Sequence, residues 1–138
     1  MRVVESQWWI IDLPEEWEAE QIEDVITIGD EDGVGVIEFT TLQKEEGLVD
    51  ESELLEFTAE TEQQFGAGQK IQVADLHGYY YCYQDEGEAV REWYLRSGDL
   101  MLFIIYSCDD DNAGMDDGAV DEILSTLFIK PEEESDQE

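Results

Sequence analysis

Basic residues are scarce in this sequence: six Lys and Arg stand against 38 Asp and Glu, for a formal net charge of −32. A field this negative repels phosphates and lacks the positive footprint that nucleic-acid binding needs, and it disfavours anionic membrane surfaces for the same reason. Cysteine is equally sparse, with only Cys82 and Cys108. Two thiols in a chain of 138 residues do not make a disulfide scaffold or a Cys-rich zinc module, so both are expected free. No apolar run approaches the ~18 residues of a membrane helix. The opening "MRVVESQWWIIDLPEEW" shows no basic leader, long apolar stretch or small-residue cleavage site, so a soluble cytoplasmic protein is expected.

What the chain has is core material, at 42% hydrophobic and 11% aromatic, enough for one domain over residues 1–130. "KPEEESDQE" has little to bury, which predicts a disordered acidic tail over 131–138. The excess acid has two readings. It serves solvation in a halotolerant cell, or it steers a basic protein partner; mutual repulsion predicts a monomer in either case.

Along the chain, "QWWIIDLP" reads as a first strand closed by Pro14, with "PEEWEAE" adding a short helical turn. "DVITIGD" and "GVGVIEFTTL" form a hairpin across "GDEDG". A first helix follows, with Asp50 as N-cap, Glu53 completing a capping box, Gly66 at the stop, and Leu54, Phe57, Thr58, Thr61 and Phe65 on one stripe. "KIQVADL", "GYYYCYQ", "VREWYLR" and "LMLFIIYSC" read as four strands in meander order. A second helix over "DDGAVDEILSTLFI" carries Val120, Ile123, Leu124 and Leu127 on one face.

Register can be predicted as well. A Ser97-Gly98 turn sets Trp93 opposite Leu102 and Val90 opposite Ile105, and a turn over Asp85–Gly87 sets Cys82 opposite Val90. Tyr79, Tyr81, Arg91, Trp93, Leu102 and Ile104 then share one face, with Tyr80, Cys82, Val90, Tyr94, Phe103 and Ile105 on the other. Both faces are apolar, so both should be covered. Cys108 falls on the Trp93 face and Cys82 does not, which disfavours a disulfide between them.

Motifs for chemistry fail on inspection. With Gly114 as the sixth position of an EF-hand, Asp109 and Asp111 fit, but Ala113 and Val120 occupy positions that need acids. His77, the one histidine, has Asp75 nearby but no positioned nucleophile, and reads as a turn residue. Gly33 and Gly35 belong to no phosphate loop and read as a turn and a close strand contact. No catalytic residue, metal site or cofactor is therefore expected. The candidate partner-binding residues are the loop acids Asp30, Glu31, Asp32, Asp109, Asp110, Asp111, Asp116 and Asp117, with Trp9 as an aromatic anchor should Trp8 or Trp9 be exposed. A small-molecule pocket between helix and sheet is the further alternative.

The succession "IDLPEEW", "DGVGVIEFTT", an amphipathic helix, "LHGYYYCYQDEGEAVREWYLRSGDLMLFIIYSC" and a closing "ILSTL" helix looks like small bacterial proteins whose architecture resembles the Mog1/PsbP-like fold. The resemblance runs nearly to Ile129 and implies an α+β fold, an antiparallel sheet of about six to seven strands with two main helices and both faces covered. It further implies a non-enzymatic protein binder, since better-known members of that group bind proteins. Some similar small acidic bacterial proteins look like immunity partners of toxins. Fold alone does not fix activity.

Overall fold

The computed structural model describes residues 2–23, 25–30 and 34–130. It is α+β, with two antiparallel sheets and two main helices. In chain order the elements are β1 (Arg2–Glu5), β2 (Trp9–Leu13), β3 (Trp17–Ile22), β4 (Val25–Asp30), β5 (Gly35–Gln43), α1 (Glu51–Phe65), β6 (Gln69–Val73), β7 (Leu76–Asp85), β8 (Glu88–Ser97), β9 (Leu100–Asp109), α2 (Asp117–Ser125) and β10 (Phe128–Ile129). The larger sheet has seven strands in the order β3-β4-β5-β9-β8-β7-β6, and a smaller one is ordered β1-β2-β10. The small sheet was not expected from the sequence. The tail read over 131–138 and the turn residues Glu31, Asp32 and Gly33 lie outside the described residues.

Strict alternation explains the core. Ile26 and Ile28 of β4, Ile37 and Phe39 of β5, Leu102, Ile104 and Tyr106 of β9, and Trp93 and Leu95 of β8 point to one face of the large sheet and are buried. Over them lie β2, through Trp9, Ile11 and Leu13, and α2, through Val120, Ile123 and Leu124. The opposite face receives α1. Its cap is the predicted capping box: the Asp50 side chain accepts from the Glu53 backbone N–H while the Glu53 side chain accepts from the Asp50 N–H. Leu54 and Thr58 of the stripe are buried, whereas Phe57 is 46% exposed.

Three expectations are corrected. "PEEW" is a β-turn, closed by Trp17 N–H donating to the Pro14 carbonyl at 3.1 Å, and the residues after it form β3, because β4 needs a partner for its outer ladder. Gly98, at φ +59°, is the first central residue of the β8–β9 turn, the place glycine takes in a type II′ hairpin. Trp93 therefore faces Ile104 and Val90 faces Ser107, a two-residue slide that keeps the predicted faces of β8 and β9.

The third correction changes faces. Glu86 and Gly87 both have positive φ, 52° and 85°, the pattern of a two-residue type I′ turn that joins Asp85 directly to Glu88. Against a three-residue turn this is a slip of one, so every β7 side chain moves to the other face. Tyr80 and Cys82 join Trp93, opposite Trp93 and Arg91 respectively, while Tyr79 and Tyr81 face α1. Cys82 and Cys108 thus share a face after all. They sit two strands apart, about 10 Å by strand spacing, too far for a disulfide, and both thiols are free.

Candidate functional site

Strand pairing gathers acids that are far apart in sequence. Asp30 ends β4, Gly35 opens β5 opposite Cys108, Asp109 pairs with Glu88, and Glu88 pairs with Asp85. Asp30, the β7–β8 turn and the end of β9 therefore all lie at one end of the large sheet. That end is fixed by backbone bonds: β9 runs into a single 3-10 turn over Asp110–Asn112, and Asp110 N–H donates to the Gly87 carbonyl at 2.9 Å. Asp85, Glu86, Glu88, Asp109, Asp110 and Asp111 are exposed there, and none of the ion pairs among the described residues uses them.

The predicted set divides. Asp109, Asp110 and Asp111 are on the surface. Asp116 is buried, its carboxylate accepting from the Tyr106 hydroxyl at 2.7 Å, and burial together with this bond pushes the Tyr106 hydroxyl well above its ordinary range. Asp117 is paired with Arg91 at 3.4 Å. Trp9 is 1% exposed, with its indole N–H donating to Thr41 Oγ1 at 2.9 Å and its ring against Phe39, so the exposure on which its role as an anchor depended is missing. Trp8 is half-buried and donates to Gln43. Glu31 and Asp32 lie outside the described residues. Sequence reading passed over Asp85, Glu86 and Glu88. The signal was present in "DEGE", but only the ladder reveals that it abuts Asp109.

Of the cations whose side chains are described, Lys44, Arg96 and Lys130 lie elsewhere. Lys44 follows the far end of β5 and pairs with Glu53, and Arg96 near the far end of β8 donates to the Val49 carbonyl. Lys130 lines a cavity of about 770 Å³ together with Gln43, Gly98 and Asp99 at that same far end. Arg91 is the exception. Its Nε donates to Tyr80 Oη at 2.7 Å, its other nitrogens reach Asp117 and Asp121, and its guanidinium lies 4.7 Å from the centre of the Trp93 ring. It rivets α2 to the sheet and is already neutralised by its two carboxylates. That far end also carries the exposed Glu45 and Glu46 and the half-buried Asp99, so acid is present at both ends of the strands.

Beside the acidic end lies a recess of about 420 Å³ walled by Cys82, Ala89, Cys108, Ala113 and Gly114, with Arg91 and Asp117 at its edge. Under α1 a different polar group is enclosed. Glu92, 7% exposed, accepts from the Tyr83 hydroxyl at 2.5 Å and the Tyr94 hydroxyl at 2.8 Å, with Thr61 at 3.4 Å. Those bonds satisfy the carboxylate without a cation. His77 is a β7 strand residue between Gln72 and Arg96, not a turn residue, and Ala74-Asp75 form the turn before it. A Cβ at Gly35 would overlap the Tyr106 ring, which accounts for that glycine as a close contact.

No protein-family model and no curated protein matches this sequence. Solved structures do. A Bacteroides thetaiotaomicron VPI-5482 protein is similar with a TM-score of 0.69 and 14% identity, over 91% of this chain and 46% of its own. This chain therefore spans about half the length of that protein. LpqN of Mycobacterium tuberculosis, involved in cell envelope biogenesis, is similar with a TM-score of 0.62 and 14% identity, over 89% of this chain and 83% of its own. At this identity the likeness is one of fold.

Proposed function

We propose that this protein is a non-catalytic interaction module, of adaptor or immunity type, that docks a basic protein partner. The observation that carries the reading is one cluster: Asp85, Glu86 and Glu88 from the β7–β8 turn and Asp109–Asp111 from the end of β9, exposed and outside every ion pair among the described residues, meet at one end of the sheet. Such a field accelerates encounter with a cationic partner and orients it end-on. The apolar recess beside Asp117 takes the place of the buried Trp9 as the centre of the contact, inside an acidic rim.

The test is capture on the immobilised full chain from whole lysate and envelope fractions of the source organism, eluted with rising salt, in parallel with D109K/D110K/D111K. Including the envelope fraction follows from the role of LpqN. One basic protein recovered stoichiometrically by the wild-type chain, and lost or eluted at lower salt from the variant, supports the reading. Equal recovery on both removes the acidic end as the docking surface. A mixture of abundant basic proteins released at modest salt would favour solvation of a saline cytoplasm.

A further inference from the structure

Seven strands offer α1 far more sheet than one helix can cover. The helix lies over β8, reaching β7 through Phe65, which stacks on Tyr83 at 3.8 Å, and β9 through Phe57, whose ring is 5.0 Å from Phe103. Beyond Phe57 the same face continues over β5, β4 and β3, and among the described residues no element lies on it. The pairing fixes which residues stand there in rows. One row runs Ile22, Val25, Thr40, Phe103, and the next runs Glu20, Thr27, Glu38, Ile105. Val36 and Leu42 flank them at 41% and 37% exposure, and Ile22 is 62% exposed.

The geometry points to this open half-face as the docking site for a cationic amphipathic helix of the partner. This goes beyond the contact proposed at the acidic end, adding a second surface on the opposite face for the same basic partner, and rests on that reading. Two arguments choose the occupant. The first is spacing: strands lie about 4.8 Å apart, so β5 is about 9.6 Å from β8, and packed helices sit about 8–10 Å apart. A helix laid over β5 would therefore contact both the sheet and the Phe57 flank of α1. The second is charge. Glu18, Glu20 and Glu38 are exposed among the apolar side chains of β3 and β5, and those strands carry no Lys or Arg. A second copy of this chain, or its own "PEEESDQE" end, would bring acid against acid. A helix with Leu-type residues on one stripe and Lys or Arg beside it matches both rows.

The experiment uses the full chain and a labelled Lys/Leu peptide of about four helical turns with Leu at i, i+3, i+4 and i+7, beside a scrambled peptide of equal composition. Binding is read by fluorescence anisotropy and located by amide chemical shifts; E20K/E38K and V36T/L42Q are compared after far-UV dichroism shows that both fold. Expected are saturable binding of the amphipathic peptide with shifts on β4 and β5, weakening of about tenfold or more in E20K/E38K, and severalfold weakening in V36T/L42Q. The scrambled peptide should bind no better to wild type than to V36T/L42Q. Equal affinity for both peptides overturns the proposal, as does a dimer of this chain that L42Q dissociates. Shifts confined to residues 85–88 and 109–111, unaffected by either variant, also overturn it but leave the acidic end standing as the docking surface. Absence of binding by either peptide removes this face, and the capture experiment above then judges the broader reading by itself.

Discussion

At Gly78 a Cβ would run into the Tyr94 carbonyl oxygen and the Leu95 backbone, atoms that cannot rotate away. Gly118, in the first turn of α2, has open space around it. Gly78→Ala should therefore destabilise by about 1–3 kcal/mol or more, whereas Gly118→Ala should stabilise by up to about 1 kcal/mol, both read from urea midpoints. If both substitutions shift the midpoint alike, Gly78 does not pack against the Tyr94–Leu95 backbone. The tyrosines make a second prediction. Burial, reinforced by Glu92, pushes Tyr94 up to about 12 and Tyr83 upward as well, and burial with Asp116 does the same for Tyr106. These groups favour the neutral form when folded, whereas unfolded tyrosines ionise near 10. Their contribution is therefore whole below about pH 10 and declines as pH rises through about 12, so the urea midpoint should fall between about pH 9 and 11.5. A flat midpoint over that range would count against the enclosed hydroxyls. Tyr94 lies two residues from Glu92 on one strand face, a local pairing, but its cover by α1 was not legible, and Tyr83 and Tyr106 reach Glu92 and Asp116 only through sheet pairing and helix packing.

At the scale of elements, α1 was legible almost to the residue. Asp50, Glu53 and Gly66 are local signals, and the helix uses all three. Bonding to the Glu53 N–H and to Ser52 holds the Asp50 carboxyl below its ordinary range. A depressed folded pKa contributes stability above the ordinary Asp value of about 4, lost as pH falls through the folded value. Asp50→Ala should accordingly lower the thermal midpoint at neutral pH, with the gap to wild type closing as the pH is taken below about 3. A gap that persists in acid would mean that the cap acts through its shape and not its charge. β3 was not legible, since Glu and Ala suit a helix locally and only the unpaired edge of β4 makes "WEAEQI" a strand. β7 was legible as a strand but not in its facing. "DEG" lacks the Asn-Gly or Asp-Gly pair at the turn centre that would have marked a two-residue loop, and one residue of slip exchanges the faces.

For the whole molecule, a net charge of −32 means that folding brings like charges together, most of all at the end that carries Asp85, Glu86, Glu88 and Asp109–Asp111. The Debye length shortens from about 30 Å at 0.01 M salt to about 10 Å at 0.1 M. The thermal midpoint should rise over that range of sodium chloride, and D109N/D110N/D111N should start higher and gain less. A midpoint independent of salt would mean that the acids are too dispersed to repel one another, and would weaken the steering proposal with it.

The sequence by itself determined the charge, the α+β class, the two helices with the caps of α1, and most of the strands. Each of these follows from composition or from contacts within a few residues. Only the tertiary structure decided that Trp9 is buried, that Asp116 is internal, that Tyr79 and Tyr81 face α1, and that acids more than twenty residues apart share one end of the sheet. The physical reason is register: a turn one residue shorter leaves the local pattern of a strand unchanged, yet it reverses which face every side chain meets.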